Sequence, residues 1–190
     1  MVAVRPPTQP LTDGTISVRL PVANDVDALV RYGDDPDVKE TIWIPIPTPC
    51  NRAQAVERLS EFERSWRSDG RFGPTLMIAE QESDGMIGVV FLRGREHDSV
   101  ELSYGVAAEH RNRGIATAAL LLVSRWCLDE LSASRVELRI GLDNIASQRV
   151  AAKAGFRREG SVRSHVAATG RDYDDLLYTL YARAGNVPPL

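Results

Sequence analysis

Residues 99 to 140 carry two different periodicities back to back, and their order leaves the chain few architectures. Ser99 to Val106 alternates side-chain character as a strand does, helical spacing runs from Gly114 to Leu131, and a short β-branched strand follows from Arg135 to Ile140. Between the first strand and the helix stands the turn Arg111-Asn112-Arg113-Gly114. Upstream, Thr75 to Glu80 and Met86 to Arg93 read as two strands joined at Ser83-Asp84-Gly85, a hairpin signal. A meander feeding a βαβ unit implies an α/β domain built around a mixed central sheet flanked by helices.

The rest of the chain fits one such domain over residues 15–183. Residues 1–14, rich in Pro, Thr and Gly, read as a flexible arm, and residues 184–190 as a tail. A first strand spans Ile16 to Leu20, and a helix then enters near Pro21 to Asp27, with Asn24 or Asp25 as N-cap and Val26, Leu29 and Val30 on one face, ending near Gly33. Thr41 to Pro49 holds three prolines among apolar residues, which excludes a regular helix or central strand and leaves an ordered loop or edge, a potential cleft wall. Asn51 caps a helix to about Arg67 with Val56, Leu59, Phe62 and Trp66 as its buried stripe; a helix over Ile145 to Ala154 and a strand over Leu176 to Tyr181 follow.

Composition removes several classes of function. With 23 basic and 26 acidic side chains in 190 residues the formal charge is −3, so the chain lacks the electrostatic footprint of a nucleic-acid binder. Cys50 and Cys127 are far apart and have no Cys or His partner at metal-ligand spacing, so neither a disulfide framework nor a metal site is expected. No signal-peptide pattern occurs and no run reaches the ~18 apolar residues of a membrane span. These features fit a soluble protein of the cytoplasm.

The turn at residues 111–117 is the chemically informative segment. The first N–H groups of a helix have no partner within it and the helix dipole adds positive potential, so a helix start is an anion site. Gly114 permits close approach of a bulky phosphate, Ala116 keeps the next turn unobstructed, and Arg111 and Arg113 add charge and donors suited to a diphosphate. The GK[ST] of a triphosphate loop and the GxGxxG of dinucleotide folds are both absent.

Glu101 to His110 followed by Arg111-Asn112-Arg113-Gly114-Ile115-Ala116-Thr117 resembles the acetyl-CoA motif of the GNAT superfamily, whose Q/R-x-x-G-x-G/A pattern is matched by Arg111, Gly114 and Ala116. More narrowly it resembles the RimJ/RimL group of N-terminal and small-amine acetyltransferases, through Glu101, His110 to Ala116, Asp143 to Ser147, Lys153 to Phe156 and Gly170 to Asp175. The resemblance covers roughly residues 14–182 and is strongest after residue 99. It implies the GNAT fold, in which two central parallel strands splay to admit acetyl-CoA. Val106 and its neighbours would then offer main-chain groups to the pantetheine arm. The N–H groups of Arg111, Asn112, Arg113, Gly114, Ile115, Ala116 and Thr117 would hold the pyrophosphate, Asn144 the pantetheine from the other side, and Ser147 would face the thiol end.

Making an amide from a thioester requires a neutral amine, so a group must take the amine's proton. Glu101, on the strand leading into the turn, is the expected general base, directly or through water; its alternative reading is a strand carboxylate paired with an arginine. The resemblance assigns Ser147 as donor to the departing thiolate, its alternative reading being a polar residue on a helix surface; the tyrosine many GNAT enzymes place four residues before the Gly-Phe pair is Ala151 here. No His-based triad is convincing, and Lys153 reaches either the nucleotide end of the cofactor or solvent. The expected reaction is direct acetyl transfer to a primary amine, a protein N-terminus or a small molecule, with Asp172, Asp174 and Asp175 either attracting a cationic amine or capping the last strand. A non-catalytic acyl-CoA-binding domain and a transferase using succinyl-CoA are the alternatives; no nucleic-acid or membrane partner is expected, and a homodimer is the generic expectation.

Overall fold

The computed structural model describes residues 4–39, 46, 49–67, 73–95, 97–166 and 171–182. Its strands are β1 (Leu11–Thr12), β2 (Ile16–Arg19), β3 (Thr75–Glu80), β4 (Met86–Gly94), β5 (Ser99–Val106), β6 (Arg135–Gly141), β7 (Arg157–Val166) and β8 (Arg171–Tyr181). Its helices are α1 (Val26–Asp34), α2 (Pro36–Lys39), α3 (Arg52–Ser65), α4 (Ile115–Asp129) and α5 (Ile145–Lys153). The strands form one sheet of order β1-β2-β3-β4-β5-β6-β8-β7 in which every pairing is antiparallel except β5 with β6.

Strand alternation sends successive side chains to opposite faces, and each face has its own core. Leu76, Ile78, Val90, Leu92, Val100 and Leu102 meet Leu120, Val123 and Trp126 of α4 and Ala151 of α5. Met77, Val89 and Phe91 turn the other way, onto Leu29 of α1 and Leu59 and Phe62 of α3. The result is a sheet between two helical layers. Trp126, Phe156 and Met86 are buried within these cores as their patterns imply. Asn51 caps α3 by accepting from the Gln54 N–H.

Three expectations need correction. The arm is not loose throughout, because Leu11 and Thr12 pair with Val18 and Ser17 and an Arg5 guanidinium N–H donates to the Glu130 carbonyl. The buried stripe of α3 runs through Ala55, Leu59, Phe62 and Ser65, while Val56 is 48% exposed, so the buried face is turned by one position at its start. Residues 157–166 form β7, an edge strand hydrogen-bonded on one side only, and the last strand begins at Arg171 rather than Leu176. Most of the proline-rich loop and the 184–190 tail lie outside the described residues; Ile46, within that loop, is buried in the α1/α3 core.

Candidate functional site

β5 and β6 pair over only three residues, Ser99 with Arg135 through Glu101 with Glu137. Beyond them β5 continues along β4 to Val106 and β6 continues along β8 to Gly141. Each strand therefore has an edge facing a gap. The hydrogen-bonding phase of β5 follows from two bonds to its neighbour, Ala107 N to Ile87 O (2.9 Å) and Arg95 N to Ser99 O (2.8 Å). Odd-numbered residues of β5 exchange main-chain bonds with β4, so Leu102, Tyr104 and Val106 direct their N–H and C=O groups the other way. The Val106 carbonyl is already bonded by Arg111 Nε at 3.0 Å. The Tyr104 main chain and the Val106 N–H remain to meet a ligand in the gap.

The turn after β5 delivers the second element of the site. Gly114 sits at φ +80, a left-handed conformation that explains the residue, since a Cβ there would meet nothing within 4 Å. Asn112 shares the left-handed region at φ 60. The chain then enters α4, where the Ala118 N–H is bonded to the Gly114 carbonyl at 3.0 Å. The preceding N–H groups of Ile115, Ala116 and Thr117 belong to the helix's unpaired first turn and carry the positive end of its dipole.

Strand gap and helix start open into one cavity of about 580 Å³, within the usual range of ligand pockets. Val106, Arg111, Asn112, Gly114, Ile115, Ala116, Thr117, Asn144 and Ser147 all line it. Arg113 does not; its guanidinium lies 3.2 Å from His110 Nδ1. Arg111 lines the cleft without offering a free guanidinium, because its terminal nitrogens bond Asp35 and Asp37 and its own N–H goes to Ala108 O. Its charge ties the junction of α1 and α2 to the end of β5. Cationic lining is supplied instead by Lys153, which is also exposed to solvent, and by Arg149, which the sequence reading passed over.

Glu101 occupies the last paired position before the gap, on the sheet face opposite α4, and is not among the residues lining the cavity. Both Arg95 (2.6 Å) and Arg139 (3.0 Å) engage its Oε2, so the ion-paired reading describes its surroundings. Asn144 caps α5, its Oδ1 accepting from Ser147 N–H at 3.0 Å. Ala151 is fully buried in the α4-side core, a place a phenol could not take without displacing it. A different tyrosine stands in the cleft. Tyr104 places its hydroxyl 3.2 Å from Ser147 Oγ and 3.4 Å from the Ser147 carbonyl oxygen. Burial pushes the Tyr104 phenol above its ordinary range, partly offset by the bond to Ser147. Tyr32 of α1 also lines the cleft, with a buried hydroxyl that has no partner among the described residues. Both tyrosines fall in apolar patterns, so only their three-dimensional neighbours reveal them.

Among the described residues no cluster of His, Cys, Asp or Glu is arranged to hold a metal ion, and no helix is long and apolar enough to cross a membrane. Residues 16–157 match the family described as the acetyltransferase (GNAT) domain. The chain is 31% identical over 168 residues to the L-amino acid N-acetyltransferase AaaT of Escherichia coli, covering 86% of this chain and 95% of that protein. It is 23% identical over 171 residues to the uncharacterized N-acetyltransferase p20 of Bacillus licheniformis, covering 88% of this chain and 93% of that one. In three dimensions it superposes on Mycobacterium smegmatis RimJ in complex with CoA-disulfide with a TM-score of 0.72 at 22% identity, covering 95% of this chain and 88% of that one. A mixed sheet parted, among the described residues, at its one parallel pair, a helix start at the parting, and a family match over most of its length together make this chain an N-acetyltransferase of the GNAT family.

Proposed function

We propose that the cleft binds acetyl-CoA and that the enzyme passes the acetyl group directly to a primary amine while both substrates are bound. The observation that carries this reading is the junction of two complementary surfaces in one cavity: a strand edge with unpaired main-chain groups, and the start of a 15-residue helix. The first suits an amide-bearing arm such as pantetheine, and the second suits a pyrophosphate. Val106 N–H and the Tyr104 main chain hold the arm on one side and the Asn144 side-chain amide on the other. The N–H groups of Ile115, Ala116 and Thr117, with those of Gly114 and its neighbours, take the diphosphate, supported by Arg149 and Lys153.

The bound cofactor supplies an acetyl group activated as a thioester. Ser147 donates a hydrogen bond to the departing sulfur, and Glu101, at the root of the strand gap, takes the amine's proton through water. The amine itself enters from the side of α1 and α2, whose residues Tyr32, Asp37 and Val38 line that part of the cleft. Identity to an L-amino acid N-acetyltransferase and fold likeness to RimJ support an α-amine as acceptor, free or at the end of a peptide. Calorimetric titration with acetyl-CoA tests the cofactor assignment, with free CoA, succinyl-CoA and an Ala116→Glu variant alongside. A carboxylate in the first turn favours the helix, so this variant folds while repelling an anion. Binding is expected to weaken at least about tenfold, the effect of ~1.4 kcal/mol; equal binding by both proteins would overturn it.

A further inference from the structure

The geometry points to Tyr104 as a positioning residue for the leaving group: its phenolic O–H donates to Ser147 Oγ and thereby turns the serine's own hydrogen toward the cofactor sulfur. This deepens the proposed function and rests on the assignment of Ser147.

A serine hydroxyl has one hydrogen and rotates freely, so on a helix it commonly turns back to its own main chain. Nothing in the covalent structure aims it at a ligand. Tyr104 removes that freedom. Its ring packs against the α4-side core, its hydroxyl reaches from β5 across the strand gap to α5, and Ser147 Oγ and the Ser147 carbonyl oxygen lie 3.2 and 3.4 Å away. With Oγ accepting from the phenol, the hydrogen of Ser147 is free for the cleft, and a hydroxyl that accepts one bond is a stronger donor in the next. Burial keeps the phenol protonated and therefore a donor through neutral pH. Ala151, fully buried against the core, has no room for a phenol at its own position in α5.

The transfer step balances without ionising Tyr104. The N–C bond forms as the C–S bond breaks, the sulfur leaves with that bond's electron pair, and the amine's proton goes to the base. Ser147 stabilises the thiolate by a hydrogen bond, and Tyr104 keeps its proton throughout.

The test needs no acceptor. Dissociation constants of free CoA and of desulfo-CoA, which lacks the thiol, are measured from about pH 7 to about pH 10, where thiols ionise. Their ratio isolates the sulfur from every other contact. Arg111, His110, Asp37, Arg149, Lys153 and Tyr32 also face the cleft and are common to all the variants, so the comparison between proteins cancels them. In the unmodified enzyme the preference for CoA should rise with pH as the thiolate forms. Tyr104→Phe, which keeps the ring, should reduce that rise about two- to tenfold, the range of one hydrogen bond, with desulfo-CoA measured on the same variant to remove any change in the other contacts. Ser147→Ala should do the same, and the double variant should be no worse than Ser147→Ala. If Ser147→Ala flattens the rise and Tyr104→Phe does not, or if their effects multiply, the inference about Tyr104 is overturned and the role of Ser147 stands. Should Ser147→Ala retain the full rise, the assignment of Ser147 fails and this inference fails with it.

Discussion

The Tyr32 hydroxyl is buried beside Arg111 and Asp35 and has no hydrogen-bond partner among the described residues, on a side chain that lines the cleft. Burial raises its pKa from the ordinary value of 10.0, so the folded protein retains the phenol's proton where the unfolded chain releases it. Above about pH 10 the unfolded state binds fewer protons, and stability must fall as pH rises. Tyr32→Phe should therefore flatten the alkaline limb of the stability curve. At neutral pH it should leave stability equal or about 1 kcal/mol higher, since an unpaired buried hydroxyl is removed. Thermal melts across pH check both, and a clear loss of stability at neutral pH would mean that the hydroxyl has a partner in the protein. Glu101 calls for a different variant, because Arg95 and Arg139 both bind its Oε2. Glu101→Gln should lower kcat at least about tenfold with KM for acetyl-CoA unchanged if it takes the amine's proton, general-base contributions being typically 10²–10⁴-fold. Unchanged kcat with a lower melting temperature would leave it a strand-pinning carboxylate only.

At the scale of elements, the turn between β5 and α4 has two separable devices. Gly114 supplies a left-handed residue, and Gly114→Ala should cost about 1 kcal/mol through backbone strain despite the empty space around it, read from denaturant melts. Arg111 supplies a clamp to α1 and α2, and Arg111→Ala should cost about 2–4 kcal/mol because it strands Asp35, which is 9% exposed. Adding Asp35→Asn should recover part of that loss. The turn was legible in the sequence, although Gly114 was read there for the approach of a phosphate and its left-handed backbone emerges only in the structure; the clamp was not legible, since Asp35 lies 76 residues away along the chain. The same division runs through the whole fold. β3, β5 and the core of α4 announce themselves by apolar periodicity, but β7 reads Arg-Arg-Glu-Gly-Ser-Val-Arg-Ser-His-Val, and an edge strand with so little to bury leaves no such pattern. Tyr104 was hidden for the opposite reason, as one more apolar position in a strand whose hydroxyl matters only once α5 is folded against it.

Over the whole molecule, two helical layers pack on opposite faces of a sheet that parts, among the described residues, at its one parallel pair. The antiparallel pairings of β5 with β4 and of β6 with β8 continue on either side of the gap, so the sheet's own hydrogen bonds sustain the parting of the strands. A preformed cleft of this kind should bind its cofactor with little backbone movement, with main-chain N–H groups as principal contacts. Amide hydrogen exchange with and without acetyl-CoA tests this most directly. Exchange should slow at Tyr104 and Val106 on the strand edge and at Ile115, Ala116 and Thr117 at the start of α4, with the antiparallel pairings of β3 and β4 unaffected. Protection confined to other segments, or none at saturating acetyl-CoA, would contradict the assignment of the cleft.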